Sequence, residues 1–204
     1  DLRLGGQRKE GTVMFCDLRG FTTFAERLEP DRVIDVLNHY LSEMSDAIMD
    51  EGGTLVAFMG DGIMAVFGAP LDRADHADRA VSAATEMIEV RLPRFNAWIA
   101  GQDLGHEFRM GIGINSGSVM SGNVGSSTRV EYTAIGDTTN TAARIEGMTK
   151  DENTQVLLSA ATRRALVDEA LRSALEPVGE RAVRGRDATI ELWTLGSTGR
   201  CDVS

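Results

Sequence analysis

The sequence is poor in the residues that bind metals or form cross-links through sulfur and imidazole. Cys16 and Cys201 are its two cysteines, and neither lies in a C-x-x-C motif of the kind that binds zinc. His39, His76 and His106 are its three histidines, and they are scattered without ligand spacing. These absences exclude a disulfide framework and favour a reducing, cytoplasmic compartment.

Long hydrophobic runs and an excess of basic residues are also missing. No apolar run approaches the roughly 18 residues of a membrane-spanning helix. The 21 lysines and arginines are outnumbered by 31 aspartates and glutamates, which gives a net charge of −10. Such a chain lacks the cations that neutralise a nucleic-acid backbone, so a general nucleic-acid binder is excluded. A small anionic ligand held by metals and a few local cations is still allowed.

The remaining composition is that of an ordinary globular domain. The 204 residues are 42% hydrophobic and 25% charged, and they contain no internal repeat. A chain of this length buries enough surface to fold as one domain. It begins at Asp1 without a methionine or a signal-like segment. We therefore expect a piece of a longer protein, with any sensor or membrane anchor preceding Asp1.

The strand around which the chain is organised ends on a carboxylate. Residues 13–16 form a short apolar run typical of a core strand, and Asp17 follows where that strand emerges. Gly20 permits a sharp turn. Thr23 and Glu26 match a capping box, which predicts a helix that begins here and whose free amides attract phosphate beside Asp17. The alternative is that Asp17 only serves a turn, which is the commoner use of a lone aspartate.

A helix and a hairpin follow this strand. Pro30 predicts the start of a helix that runs to about Asp50. Its core stripe consists of Val33, Val36, Leu37, Tyr40, Leu41, Met44 and Ile48. Two short apolar runs, 54–59 and 63–67, are joined by a Gly-Asp-Gly turn, which predicts a β-hairpin with Asp61 at its tip.

The second half of the chain alternates between helical and extended patterns. We expect a long helix over 74–99, bent or interrupted by Pro93, and a strand over 107–114. Five glycines lie between Gly111 and Gly125, but neither nucleotide-binding glycine fingerprint is present, so hairpins and turns are predicted there. The remaining predictions are a strand over 130–135, a helix from the N-cap Asp137 through Met148, a helix over 159–167, and strands over 175–183 and 189–195.

Two pairs of polar residues together indicate a phosphoryl-transfer site. Asp17 and Asp61 would lie side by side if the first strand pairs with the hairpin, and paired carboxylates can hold two Mg²⁺ ions that substrate phosphates complete. Asn140 and Arg144 are four residues apart, on one face of a predicted helix. They would supply a hydrogen bond and a fixed positive charge against charge developing on phosphorus. An isolated Asn/Arg pair is more often a solvated face; the coincidence of both pairs favours the site.

Three segments, in order, resemble the catalytic domain of the class III adenylyl and guanylyl cyclases. The segments are 15–22 (FCDLRGFT), 58–67 (FMGDGIMAVF) and 132–144 (YTAIGDTTNTAAR). The resemblance extends over about 11–195 and implies an N-terminal linker over 1–10 and a tail over 196–204. It also implies an α/β fold with a ferredoxin-like βαββαβ core and extra C-terminal elements. The resemblance further implies a head-to-tail homodimer with active sites in the cleft between chains.

The resemblance also assigns roles to residues of this chain. Asp17 and Asp61 match the two metal-binding aspartates, which hold two Mg²⁺ or Mn²⁺ ions per site, and the backbone carbonyl of Leu18 matches a further metal ligand. Phe21 and Thr22 fall where backbone amides meet the triphosphate. The positions that fix the ribose and stabilise the transition state from the partner chain correspond to Asn140 and Arg144. A phosphate-binding lysine of the family is replaced here by Arg184, which keeps the charge and alters its geometry.

The two positions that read the purine base depart from the family pattern. Adenylyl cyclases of this class usually carry a lysine four residues before the second metal aspartate, where this chain has Ala57. Alanine can neither donate to adenine nor accept from guanine. The second position matches Thr133, as in many bacterial adenylyl cyclases. Base recognition is therefore half missing, which should reduce discrimination by about 1 to 3 kcal/mol.

The resemblance implies conversion of ATP to 3′,5′-cyclic AMP and pyrophosphate. The ribose 3′-oxygen attacks the α-phosphorus, with no covalent intermediate and no nucleic acid involved. Two alternatives stay open from the sequence: a guanylyl or base-unselective cyclase, and a degenerate nucleotide-binding domain that regulates an attached module. The retention of Asp17, Asp61, Asn140 and Arg144 argues against the degenerate domain.

Overall fold

A computed structural model describes residues 4–126, 128–182 and 189–196 of the chain. Its strands are β1 (Gly5–Leu18), β2 (Thr54–Met59), β3 (Gly62–Phe67), β4 (Met110–Gly125), β5 (Val130–Ile135), β6 (Val156–Ser159), β7 (Leu175–Ala182) and β8 (Thr189–Leu195). Its α-helices are α1 (Phe21–Ala25), α2 (Pro30–Asp50), α3 (His76–Glu86), α4 (Leu92–Gly101), α5 (Asp137–Met148), α6 (Ala160–Ala165) and α7 (Glu169–Ala174). No helix of the described part is both long and apolar enough to cross a membrane.

One mixed sheet joins these strands in the order β2-β3-β1-β4-β6-β8-β7, and β5 pairs with β4. The first four strands form antiparallel pairs in the order β2-β3-β1-β4, with helices connecting β1 to β2 and β3 to β4. This is the predicted ferredoxin-like βαββαβ core. Strand β6 runs parallel to β4 and begins the C-terminal addition.

The two faces of strand β1 serve different parts of the molecule. Met14, Cys16 and Leu18 lie in the large core that packs against α2, α3 and α4. Val13 belongs to a smaller buried cluster on the opposite face, which includes Ala142 of α5. Because side chains alternate along a strand, Asp17 points to the same face as Val13 and therefore toward the α5 side.

Helix α2 confirms the prediction from its apolar stripe. It runs from Pro30 to Asp50 with the proline in its first turn. Four stripe residues, Val36, Tyr40, Met44 and Ile48, are fully buried, and the other three are partly buried against the same core. The predicted hairpin of β2 and β3 is likewise present.

The predicted start of the first helix was wrong. Helix α1 begins at Phe21, with Gly20 as N-cap at φ 76° and no side-chain cap, so Thr23 lies inside the helix and forms no capping box. The left-handed conformation at Gly20 makes the turn directly after the strand. The long helix predicted over 74–99 is confirmed as a continuous helical segment over 76–101. Its interruption is a π-helical turn, Met87–Arg91, which separates α3 from α4 and ends two residues before Pro93.

The glycine-rich stretch is a long strand, so the prediction of hairpins and turns over 111–125 was wrong. The glycines serve close approaches of other elements to β4 (Met110–Gly125). A Cβ on Gly113 would lie 2.1 Å from the backbone nitrogen of Glu146 in α5, and one on Gly122 would lie 2.2 Å from the carbonyl oxygen of Gly5. The strand predicted from 107 begins at Met110.

The C-terminal third contains elements that the pattern did not predict. Strand β6 and helix α7 were missed because each has no more than six residues, too few for a periodic signal. Ser159 caps α6 by accepting a hydrogen bond from the Thr162 amide. Strands β7 and β8 form the predicted antiparallel pair. Arg184 and Cys201 lie outside the described residues. The division into linker, domain and tail stays a prediction, although β1 includes residues from Gly5 onward.

The seat of α5 on β4 generates a prediction about stability. Gly113→Ala should lower the free energy of unfolding by about 3 kcal/mol or more, because the added methyl would meet backbone atoms of α5, which cannot rotate away. Gly147→Ala, in helix α5, is the matched control, because a Cβ at Gly147 meets nothing within 4 Å. This substitution should stabilise the protein by about 0.5 kcal/mol. Urea unfolding followed by circular dichroism measures the free energy of unfolding of both variants. Equal effects of the two substitutions would contradict the close packing of α5 on β4.

Candidate active site

The pairing of β1 with β3 brings Asp17 and Asp61 together. Cys16 pairs with Ile63 across these strands, so Asp17, one residue further along, reaches the turn that precedes β3. Gly60 and Asp61 form that two-residue turn, with Gly60 at φ 65°, a conformation that glycine adopts without strain. The two carboxyl groups lie within hydrogen-bonding reach of each other. The predicted juxtaposition of the two aspartates is thus present in the structure.

The Asp17 carboxyl is held in an unfavourable electrostatic environment. Burial raises the pKa of Asp17 well above its usual range, and the neighbouring Asp61 carboxyl, followed by the charge of Glu146, raises it further. One carboxylate oxygen of Asp17, Oδ1, is buried and accepts no hydrogen bond among the described residues. A buried acceptor without a donor costs free energy unless a ligand satisfies it.

The donor set fits a divalent cation that arrives with its substrate. No group of three or more acidic, histidine or cysteine side chains in the described ranges is arranged to hold a metal by itself. Two carboxylates suit Mg²⁺, which keeps several waters and commonly completes its shell with substrate phosphates. The unsatisfied Asp17 oxygen is an acceptor for such an ion. The Leu18 carbonyl, which immediately follows Asp17, is the third oxygen that the family resemblance implies.

Asn140 and Arg144 lie one helical turn apart on α5. The N-cap of this helix is Gly136, so the prediction that Asp137 is the N-cap was wrong by one residue. Asn140 is exposed and Arg144 half-buried. In the described part of the chain, neither side chain has a hydrogen-bond or ion-pair partner. An amide and a guanidinium on one helix face are therefore available to a ligand or to another chain.

The two residues predicted to meet the triphosphate lie at the start of the helix that follows Asp17. Phe21 and Thr22 are the first two residues of α1, directly after the left-handed Gly20. The Phe21 ring is buried against Phe24 and Phe108, whereas Thr22 is exposed. Burial of this ring fixes the loop between Asp17 and α1.

The two predicted base-reading residues occupy different surroundings. Ala57 is exposed on β2 and pairs with Met64, immediately after a β-bulge between Leu55 and Ala57. Bulges of this kind redirect side chains near functional sites. Thr133, on β5, lines an apolar hollow of about 310 Å³ together with Met120 and Ile135. Ala57 does not line that hollow.

Sequence reasoning missed Glu146, whose charge acts on both aspartates, and Arg19, whose charge acts on Glu146. Glu146 follows Arg144 by two residues on α5, and burial raises the pKa of Glu146, while the charge of Arg19 opposes the rise and that of Asp61 adds to it. Burial lowers the pKa of Arg19, and the charge of Arg109 lowers it further. The alternating glycines Gly111 and Gly113 in a strand were the available signal for a helix packed close by.

Comparison with known proteins identifies the family. The model of the adenylate and guanylate cyclase catalytic domain matches residues 6–196, and this chain belongs to that family. Adenylate cyclase 1 of Rhizobium meliloti is 36% identical over 188 residues, which are 92% of this chain and 28% of that protein. The chain therefore spans less than a third of that relative.

Solved structures of both kinds of cyclase have the same fold. The guanylyl cyclase Cya2 superimposes with a TM-score of 0.83 at 38% identity, covering 93% of each chain. The adenylyl cyclase CyaB from P. aeruginosa superimposes with a TM-score of 0.82 at 31% identity, covering 98% of this chain and 100% of that one.

The raised pKa of Asp17 predicts how stability depends on pH in the metal-free protein. The unfolded carboxyl ionises near pH 4, whereas the folded one keeps its proton to higher pH, so stability falls as pH rises from about 4 through the folded pKa. Asp17→Asn should reduce this fall and stabilise the protein at pH 8. Urea unfolding in EDTA between pH 5 and pH 8 is the measurement. Asp151→Asn, at an exposed turn residue, should leave the profile unchanged; an unaltered profile in Asp17→Asn would contradict the prediction.

Proposed function

We propose that this chain is the catalytic part of an adenylyl cyclase, which converts ATP to 3′,5′-cyclic AMP and pyrophosphate by a two-metal mechanism in a homodimer. The observation that carries the proposal is the pair of adjacent carboxylates, Asp17 and Asp61, with a buried Asp17 oxygen that has no donor. Like charges are brought together at a cost that a bound cation removes. Two Mg²⁺ or Mn²⁺ ions would make the ribose 3′-oxygen a better nucleophile and stabilise charge on the phosphates.

In this mechanism some residues bind the metal ions and the substrate, and others stabilise the charge that develops during the reaction. Asp17, Asp61 and the Leu18 carbonyl hold the ions, and the amides of Phe21 and Thr22 bind the triphosphate. Asn140 fixes the ribose so that its 3′-oxygen points at the α-phosphorus, and Arg144 places a permanent positive charge where negative charge develops. Arg184 is proposed to bind phosphate. Positioning and electrostatics suffice, because phosphoryl transfer of this kind needs no covalent intermediate.

The proposed homodimer is supported by groups left unsatisfied in one chain. The side chains of Asn140 and Arg144 have no partner within the described part of the chain. Large apolar side chains are exposed at the tip of the β2–β3 hairpin, where Phe58 and Met59 are each 52% exposed, and on the β4–β5 hairpin, where Ile135 is also 52% exposed. Apolar patches of this kind on a folded chain mark interaction surfaces. A second copy that covers them would bring Arg144 of one chain to the aspartates of the other.

One of the two proposed base-reading positions has no polar side-chain atom. Ala57 is exposed and offers the base no polar atom, so Thr133 is left as the side chain that reads it. Adenine is favoured here because threonine at this position resembles many bacterial adenylyl cyclases. A guanylyl or unselective cyclase is the second candidate, favoured by Ala57 and by the 38% identity to the guanylyl cyclase Cya2. We further propose a cytoplasmic location and an upstream sensor or membrane domain.

Identification of the product tests the function. The purified chain at high concentration, incubated with Mn²⁺ and an equal mixture of ATP and GTP, should yield cyclic AMP in excess over cyclic GMP, as measured by mass spectrometry. Excess cyclic GMP would establish the second candidate. Nucleotide binding without either cyclic product would support a degenerate regulatory domain instead.

Two variants serve as controls in the same assay. Asp61→Asn should abolish both products, because it removes a metal ligand and leaves the turn intact. Ala57→Lys should raise the ratio of cyclic AMP to cyclic GMP about tenfold or more, because a restored donor to adenine is worth about 1.4 kcal/mol or more. An unchanged ratio would mean that this protein reads its base elsewhere.

Complementation tests the shared site. Asp61→Ala and Arg144→Ala chains should each be inactive, and their mixture should regain up to about a quarter of wild-type activity, because half of the dimers are mixed and each carries one intact site of two. Subunit exchange is verified with differently tagged chains. Exchange without recovery would contradict the proposed sharing of residues between chains.

A further inference from the structure

A network of buried polar side chains joins strands β1 and β4 to the start of α6. Its members are each at most 7% exposed: Thr12, Asn115, Ser116, Ser159 and Thr162. Thr12 Oγ1 lies 2.7 Å from Ser116 Oγ, which donates to Thr162 Oγ1 at 3.1 Å. Thr162 Oγ1 lies 3.2 Å from Ser159 Oγ. A buried polar network whose members are all hydrogen-bonded fixes one arrangement of the elements that it joins.

This network ends on the first turn of α5. The Ser159 hydroxyl donates to Asn115 Oδ1 at 2.6 Å, and Asn115 Nδ2 donates at 3.0 Å to the carbonyl of Thr138, the second residue of α5. Both ends of the Asn115 amide are therefore used, which fixes the orientation of its side chain. The Thr138 hydroxyl donates to the Ser118 carbonyl at 2.8 Å. The first turn of α5 is thus hydrogen-bonded to β4 at two points.

These two hydrogen bonds act on a different part of α5 from the close glycine contacts. The glycine contacts lie further along the helix, where a Cβ on Gly113 would meet the backbone of Glu146. Arg144 lies near that end of the helix, whereas Asn140 follows Thr138 by only two residues. Asn140 is therefore the proposed site residue on α5 that lies closest to the hydrogen bonds of the first turn.

We propose that Asn115 is a positioning residue: together with the Thr138 hydroxyl, it holds the first turn of α5 on β4 and so sets where Asn140 meets the ribose of the substrate. This inference rests on the proposed function, in which Asn140 points the ribose 3′-oxygen at the α-phosphorus. Asn115 acts through α5 and not on the substrate, because it is buried and its amide is fully hydrogen-bonded. A small displacement of an orienting group lowers the rate of attack steeply.

Asn115→Leu removes the hydrogen bond to α5 and nearly keeps the volume of the side chain. With Mn²⁺ and ATP it should lower kcat about tenfold and change KM less than about threefold, because the ribose is misaligned while the triphosphate is still bound. Initial rates of cyclic nucleotide formation measure both constants, with GTP instead of ATP if the wild-type chain converts only GTP.

Thr194→Val is the matched control for the loss of a buried hydrogen bond. The Thr194 hydroxyl is buried and donates to the Val156 carbonyl at 2.7 Å, which joins β8 to β6 instead of β4 to α5. The kcat of this variant should equal that of the wild type.

A double variant separates positioning from support of the fold. Asn140→Ala alone should lower kcat about hundredfold. Adding Asn115→Leu should then lower kcat by no more than about twofold, because the residue that Asn115 positions is already removed. A further tenfold loss would mean that Asn115 supports the fold or another residue, and it would overturn the proposal. An unchanged kcat in Asn115→Leu alone would also overturn it.

Thermal unfolding verifies that each variant is folded at the assay temperature. If Asn115→Leu is unfolded, Thr138→Val replaces it, since that variant removes only the hydrogen bond to the Ser118 carbonyl. Thr138→Val should lower kcat about threefold and lose this effect in the Asn140→Ala background; wild-type kcat, or an equal loss in both backgrounds, would contradict the proposal. A wild-type chain that forms no cyclic product would instead overturn the proposed function, and this inference with it.

Discussion

The approach of two carboxylates in a half-buried site is the constraint on which the rest of the structure depends. Asp17 and Asp61 repel each other and lose hydration, and the pKa of Asp17 is raised as a result. The β1–β3 pairing, with five matched residue pairs from Thr12 to Cys16, holds them together. The large hydrophobic core beneath that sheet stabilises the fold enough to offset the unfavourable free energy of bringing the two carboxyl groups together. Such strain is tolerated where a bound ion removes it.

Helix α5 connects this constraint to the rest of the site. Asn140 is exposed and Arg144 half-buried on this helix, whereas the charge of Glu146 acts on the aspartates. The same helix therefore carries the residues proposed to act on the ribose and phosphate and a charge that acts on the proposed metal-binding pair. Its approach to β4 depends on Gly111 and Gly113, because backbone atoms of α5 occupy the space of a side chain at Gly113. A change in the packing of α5 on β4 would therefore move Asn140, Arg144 and Glu146 together. The proposed dimer places Asn140 and Arg144 at a neighbouring chain's aspartates.

Much of the site was predictable from local sequence because its residues stand beside strong structural signals. Asp17 ends an apolar strand, Asp61 lies in a glycine turn between two apolar runs, and Asn140 and Arg144 share a helix face. Glu146 and Arg19 were not predictable in this way. Each is an ordinary charged residue in its own segment, and the two interact only because helix α5 folds back near the end of β1. The boundary of α1 was missed because a glycine N-cap competes with a capping box that is present only in sequence.

The sequence by itself determined the hairpin and the identity of the paired carboxylates, because period and turn chemistry are local properties. The resemblance of its three motifs to the cyclase family implied the α/β class and the ferredoxin-like core. The tertiary structure alone decided that 111–125 is one strand, that α5 packs directly on its glycines, and that the Glu146 carboxylate lies near Asp17. Close approach of backbones and the loss of solvent around charges arise only when distant segments meet. Base selectivity depends on both sequence and tertiary structure. Ala57 is evident in the sequence, but in the proposed dimer a second chain completes its surroundings.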